Sequence, residues 1–152
     1  MTTRRDMLTT SAKVAGFLAA AGLLPLSAQA DWNQAAFQAK SIGDVAKAFG
    51  GAVPTLNAGV TVIGPDIAEN GAVVPVGAAS TLPGVKRLML LVEKNPNALA
   101  AVFEVSDSIE ASFSTRVKMG QSSNVIAVAQ MADGRFFYAQ KEIKVTLGGC
   151  GG

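Results

Sequence analysis

The chain has 152 residues, with 13 basic and 11 acidic side chains, a single cysteine and no histidine. Lack of histidine excludes Ser-His-Asp and Cys-His catalysis and nearly every zinc, copper or haem site, and one cysteine excludes an internal disulfide. Acidic residues are scattered rather than clustered, so no calcium loop is expected and the metal and cofactor sites are read as none.

Residues 1–30 read as an export leader. Arg4-Arg5 precedes an apolar run of 13 residues from Val14 to Leu26 and a small-x-small cleavage site, Ala28-Gln29-Ala30. The run is too short for a spanning helix, which needs about 20 residues. With Thr3 before the arginines and Met7-Leu8 after them, the leader reads as a twin-arginine signal for export of folded protein, cleaved after Ala30; a plain secretory signal is the alternative. The expected location is the periplasm. The leader takes three of the 13 basic residues and one of the 11 acidic ones, leaving ten of each, so the basic balance belongs to the leader. A neutral body without a Lys/Arg cluster argues against nucleic acid and against stable membrane association.

Residues 31–147 read as one domain, opening with a short helical segment from Trp32 to Phe49. Trp32, Ala36, Phe37 and Ala39 recur near helical spacing, Ser41-Ile42-Gly43-Asp44 resembles a capping box that starts a second piece through Val45, Ala46 and Phe49, and Gly50-Gly51 ends it. From Val60 onward the pattern alternates with period two. Ala111 to Lys118 and Leu99 to Val105 are half-buried strands, the latter with Leu99, Ala101, Phe103 and Val105 inward. Arg87 to Val92 and Val125 to Met131 are apolar on both faces, as expected of central strands with a second layer or a partner subunit on the far side. Phe136-Phe137-Tyr138 likewise puts aromatic rings on both faces of one strand. Asn70-Gly71 and Asp133-Gly134 fit two-residue hairpin turns, Asn95-Pro96 and Asp107-Ser108 supply further turns, and Pro75 places its strand at an edge or bulge. About seven strands without βαβ alternation predict an all-β antiparallel sandwich. Met89, Met119 and Met131 read as core or interface filling rather than a methionine metal set.

The last strand, Glu142 to Leu147, alternates with Ile143, Val145 and Leu147 inward, which predicts anchoring up to the residue before Gly148-Gly149-Cys150-Gly151-Gly152. Two glycines on each side leave the thiol without neighbouring Cβ atoms, so residues 148–152 read as a flexible arm whose sulfur reaches on the order of 10 Å beyond Leu147. No His, Lys or Arg lies within five positions of Cys150. Nothing local lowers its pKa from the usual value of about 8.5, and the thiol is presented rather than activated.

The ending Val145-Thr146-Leu147-Gly148-Gly149-Cys150-Gly151-Gly152 resembles that of the SoxY family, the sulfur carriers of bacterial thiosulfate oxidation. Ala36-Phe37-Gln38-Ala39-Lys40, Ile67-Ala68-Glu69-Asn70-Gly71 with Val74-Pro75-Val76, Asn95-Pro96, and Lys118-Met119-Gly120-Gln121 resemble the same family in the same order. The resemblance implies an immunoglobulin-like sandwich and a carrier, not an enzyme. It implies covalent attachment of thiosulfate and derived sulfur to Cys150, with Gly148, Gly149, Gly151 and Gly152 as the arm. The implied partners are a SoxZ-like subunit in a heterodimer, a c-type cytochrome, a sulfate-releasing hydrolase and a sulfane dehydrogenase. Two other readings of the same residues remain: a sulfurtransferase or thiol peroxidase with Cys150 as nucleophile, and a structural subunit whose cysteine cross-links a dimer. Lys118 to Gln121 reads as a strand end and turn, with docking as the alternative.

Overall fold

A computed structural model describes residues 4–20 and 32–147. The chain divides into two units, Met1–Trp32 and Asn33–Gly152. In the first, α1 (Arg4–Ala20) exposes Met7, Leu8, Val14 and Phe17. Among the described residues no helix is long and apolar enough to cross a membrane.

The second unit begins with α2 (Gln34–Gln38) and α3 (Ile42–Ala48). Neither helix could stand alone at this length, so each depends on caps and on packing. Asn33 caps α2 by accepting from the Ala36 N–H at 3.1 Å, and its amide donates to the Ala48 carbonyl at 2.7 Å, which ties the two helices together. Ser41 caps α3, accepting from the Asp44 N–H at 3.2 Å. Its hydroxyl donates to the Asp44 carboxylate at 2.7 Å, so the box closes side chain to side chain. At the other end Gly50 takes φ 74°, and the Gly50 and Gly51 N–H groups reach the Lys47 and Ala46 carbonyls at 2.9 Å each, a Schellman closure. Trp32, expected at helical spacing with Ala36, Phe37 and Ala39, lies ahead of α2 in the sequence and is exposed.

Among the described residues nine strands follow: β1 (Thr55–Leu56), β2 (Val60–Ile63), β3 (Ile67–Ala68), β4 (Val74–Ser80), β5 (Val85–Val92), β6 (Leu99–Glu104), β7 (Ser112–Val117), β8 (Ser123–Met131) and β9 (Phe136–Val145). One sheet runs β1-β9-β8-β5-β6 with β3 also on β9; the other runs β2-β4-β7. The expected β-sandwich is the fold. The two-residue strands β1 and β3 were not expected, and both pair with β9 in parallel.

Alternation along the two central strands builds two cores. Leu88, Leu90 and Val92 of β5, with Val125, Ala127 and Ala129 of β8, face Val74, Val76 and Ala78 of β4 between the sheets. The intervening Met89, Leu91, Ile126 and Val128, with Phe136, pack against Ala36, Val45 and Ala46. The far face of this sheet is therefore covered by the chain's own helices, and no partner subunit is needed to explain why β5 and β8 are apolar on both sides. Arg87 fastens this third layer. Its guanidinium pairs with Glu104 of β6, donates to Gln130 of β8 at 3.0 Å and lies 5.3 Å over the Phe49 ring at the end of α3.

Several local expectations are corrected. Asn70-Gly71 is not a two-residue hairpin: β2 and β4 do pair antiparallel, but residues 64–73 connect them and β3 lies within that connection. Gly71 has no positive φ, and Asn70 Oδ1 accepts from the Ala72 N–H at 2.8 Å. The Asp133-Gly134 hairpin forms, but as a wider loop in which Gly134 alone takes positive φ, 88°, and the Met131 N–H reaches the Arg135 carbonyl at 2.9 Å. Pro75 sits in the middle strand of its sheet; β2 pairs only as far as Gly77, so Pro75 still meets an open edge on that side. Leu99 faces the helices while Ala101 and Phe103 face the sandwich, because the β5–β6 register shifts at Leu90/Leu91 and reverses the faces.

A Cβ at Gly51 would fall inside the Phe136 ring, whereas one at Gly120 would meet nothing within 4 Å. Gly51→Ala should lower stability by about 1–3 kcal/mol through overpacking, with Gly120→Ala close to neutral, as read from urea unfolding midpoints.

Candidate functional site: the root of the C-terminal arm

Cys150 and its neighbours Gly148, Gly149, Gly151 and Gly152 lie outside the described residues, so the site is described as far as Leu147. β9 leads to it. Ile143 is fully buried, Val145 is half-buried and Leu147 is 70% exposed. Side-chain anchoring therefore stops before Leu147, two residues earlier than the alternation predicts, because regular pairing ends at Val145 and hydrogen bonds hold the backbone beyond it.

Two segments supply those bonds. On one side, β3 pairs Ile67 with Lys144 and Ala68 with Val145. The Lys144 N–H donates to the Asp66 carbonyl at 3.0 Å and the Thr146 N–H to the Ala68 carbonyl at 3.1 Å; the Gly71 N–H donates to the Leu147 carbonyl at 2.8 Å. The Thr146 hydroxyl donates to the Glu69 carbonyl at 3.0 Å. On the other side, the Val145 N–H donates to Ser122 Oγ at 2.9 Å. The two segments also meet each other, since the Met119 N–H donates to the Gly71 carbonyl at 2.7 Å.

Lys141 holds the start of the β3 segment. Its ammonium donates to the Gly64 carbonyl at 2.6 Å and pairs with Asp66 at 2.9 Å. The hydrogen bond from Lys141, then its charge, hold the Asp66 carboxyl below the usual carboxylate range. Beside this segment an apolar cleft of about 370 Å³ opens on the β2-β4-β7 sheet, lined by Ile63, Pro65, Pro75 and Thr115 among others.

The stretch 67–71 and Ser122, far apart in sequence, thus converge on residues 144–147, and Met119 ties the stretch 118–121 to Gly71. Lys118 to Gln121 follows the end of β7 as a turn, with Met119 fully buried between the sheets. Met89 and Met131 are buried too. Phe136 is buried, and Phe137 and Tyr138 are half-buried against the chain's own two cores. Sequence reasoning missed Ser122 and Thr146 as root residues, since a hydroxyl next to a strand end carries no periodic signal, and it missed β3, which at two residues is below the length that alternation detects.

Superoxide reductase (neelaredoxin) from Ignicoccus hospitalis superposes with a TM-score of 0.50, covering 57% of this chain and 78% of that one at 16% identity, a level that shows a shared fold alone. The sulfur carrier protein SoxY from Chlorobium limicola f thiosulfatophilum superposes with a TM-score of 0.61 at 31% identity, covering 68% of this chain and 93% of that one. A search of curated proteins finds no match. The immunoglobulin-like sandwich is thus a fold shared across proteins of different kinds. The family model of the sulfur oxidation protein SoxY matches residues 45–150, and the chain belongs to the SoxY family. The matched stretch contains Cys150 and the whole root; the SoxY-like Ala36 to Lys40 lies ahead of it.

Ser122→Ala would leave the half-buried Val145 N–H without its acceptor. Amide exchange at Val145 should quicken by roughly tenfold while the melting temperature hardly moves, the signature of local opening at the root.

Proposed function

We propose that this chain is a periplasmic sulfur carrier of thiosulfate oxidation, with the sulfur borne covalently on Cys150. The observation that carries the reading is membership of the SoxY family through a match that extends to Cys150 itself. Similarity over most of its length to a protein described as a sulfur carrier supports it. So does the root, where a paired strand ends at Val145, three residues before Gly148.

In the proposed cycle the Cys150 thiol loses its proton and joins the terminal sulfur of thiosulfate through a new S–S bond, giving cysteine-S-thiosulfonate. The two electrons released pass to a c-type cytochrome. A hydrolase then adds water across the S–SO₃ bond, releasing sulfate and leaving a persulfide on Cys150. Where a sulfane dehydrogenase is present, it takes six electrons from that terminal sulfur and adds three water oxygens, and a second hydrolysis frees sulfate and restores the thiol. Disulfide-type bonds suit this use because they persist in an oxidising compartment and yet exchange with suitable nucleophiles. Catalytic groups belong to the partners. The leader, residues 1–30, is proposed as a twin-arginine signal removed after Ala30, and no resident metal or cofactor is assigned.

The intact mass of the protein from thiosulfate-grown cells tests this directly. It should begin at Asp31 and include a population carrying sulfur or thiosulfonate, removed by reductant and mapping to Cys150. Gly149→Leu and Gly151→Leu should slow loading by the cytochrome at least tenfold with the melting temperature unchanged, because bulk beside Cys150 widens the tether, and Cys150→Ser should abolish it. Free thiol and plain disulfide dimer alone would remove the carrier reading.

The SoxZ-like partner rests on family resemblance alone, since the chain's own helices cover the outer face of β5 and β8. Mild extraction should yield a stable complex with a second small β-sandwich chain, detected by native mass spectrometry; a solitary, monodisperse monomer would refute the pairing.

A further inference from the structure

We infer that Asn70 is a deamidation site, held back by the folded root of the arm and, once it has reacted to isoaspartate, loosening that root. Asn70 is exposed, and it is the only asparagine in the chain that glycine follows. Glycine has no Cβ to keep its nitrogen away from the side-chain carbon of the residue before, so this dipeptide offers little steric resistance to ring closure. The Gly71 nitrogen loses its proton to water and bonds to Asn70 Cγ, while the Cγ–Nδ2 bond breaks and Nδ2 departs as ammonia. Water then opens the succinimide. Opening at one carbonyl leaves aspartate on an ordinary backbone, and opening at the other leaves isoaspartate, which adds a methylene to the main chain.

The folded root ties both reacting groups. The Gly71 N–H, which must be released for attack, donates to the Leu147 carbonyl at 2.8 Å, and Gly71 is buried. Asn70 Oδ1 accepts from the Ala72 N–H at 2.8 Å, which fixes the amide that is to be attacked. The Thr146 hydroxyl holds the Glu69 carbonyl, one residue ahead, at 3.0 Å. Reaction therefore proceeds from the open root, at a rate set by the fraction of time it is open. Gly71 also joins the two supporting segments, since its carbonyl accepts from the Met119 N–H at 2.7 Å. An added methylene between Glu69 and Gly71 changes the spacing of these groups, so the bonds to Thr146, Leu147 and Met119 no longer fit together. Aspartate keeps both the backbone spacing and the Oδ1 acceptor. None of this depends on whether Cys150 bears sulfur.

The experiment ages the purified full chain for weeks at neutral pH, folded and, in parallel, unfolded in guanidinium chloride. Peptide mapping should find the NH₂-to-OH mass change at Asn70, with isoaspartate there accepting a methyl group from isoaspartyl methyltransferase, and the unfolded chain should react at least tenfold faster. Thr146→Val, which removes the bond to Glu69, should react about fivefold faster than wild type while folded. Amide exchange at Met119 should be at least tenfold faster in the aged isoaspartyl protein than in fresh wild type, and unchanged in Asn70→Asp. An Asn70 that stays intact in the folded chain overturns the site. Equal rates folded and unfolded, or in Thr146→Val and wild type, overturn the restraint by the root, and unchanged Met119 exchange in the isoaspartyl protein overturns the loosening.

Discussion

Burial of β5 and β8 on both faces is the constraint from which the rest of the molecule follows. A strand with one apolar face can lie half in water, but Met89 and Leu91 alternate with Leu88 and Leu90, and both sets are fully buried. At about 25 cal/mol per Å² of apolar surface removed from water, leaving either face wet would forfeit several kcal/mol in a domain whose net stability is of the order of 10 kcal/mol. The second sheet satisfies one face. The pair of short helices satisfies the other, and their caps, their mutual tie through Asn33 and the Arg87 clamp are what allow so little helix to serve as a layer.

The same burial sets the position of the site. β9 pairs with β8 from Ser123↔Ile143 to Gln130↔Phe136, so its register is locked to a strand that has no freedom to slide. A slip of one residue would turn Ile143 out of the sandwich and Phe136 away from the helices, which makes it costly at both ends of the strand. The point at which the chain leaves the body is thereby determined by packing some distance away. Beyond that point the work passes from side chains to backbone hydrogen bonds, and this division leaves Leu147 exposed without loosening the peptide that carries it.

Much of the fold was legible because its strongest signals are periodic. Two-sided strands, one-sided strands and the capped helical pair all repeat along the chain, and a lone cysteine between glycine pairs is conspicuous without any fold. The parts that sequence did not reveal are those decided by tertiary pairing. Val125 to Met131 shows that a strand is covered on both sides but not by what, so a partner subunit and the chain's own helices predicted the same pattern. Asn70-Gly71 has the composition of a tight turn, yet its neighbours 66–68 are drawn to β9, and that pairing lengthens the connection. Leu99 was assigned the wrong face because a bulge at Leu90/Leu91 cannot be read from alternation in β6 alone. Ser122 and Thr146 are root residues only because distant segments arrive beside them.

The root joins segments that are remote along the chain. Thr146 and Glu69, and likewise Lys141 and Gly64, are separated by 77 positions. Closing so long a loop is entropically unfavourable, and a few hydrogen bonds do not sustain it until β4 to β8, which lie between, have assembled. The root at residues 144–147 is therefore a property of the finished domain and not of its terminal peptide. An incompletely folded chain still contains the thiol but lacks that root, so the carrier role proposed for Cys150 would require conformational maturity without a separate device to check it.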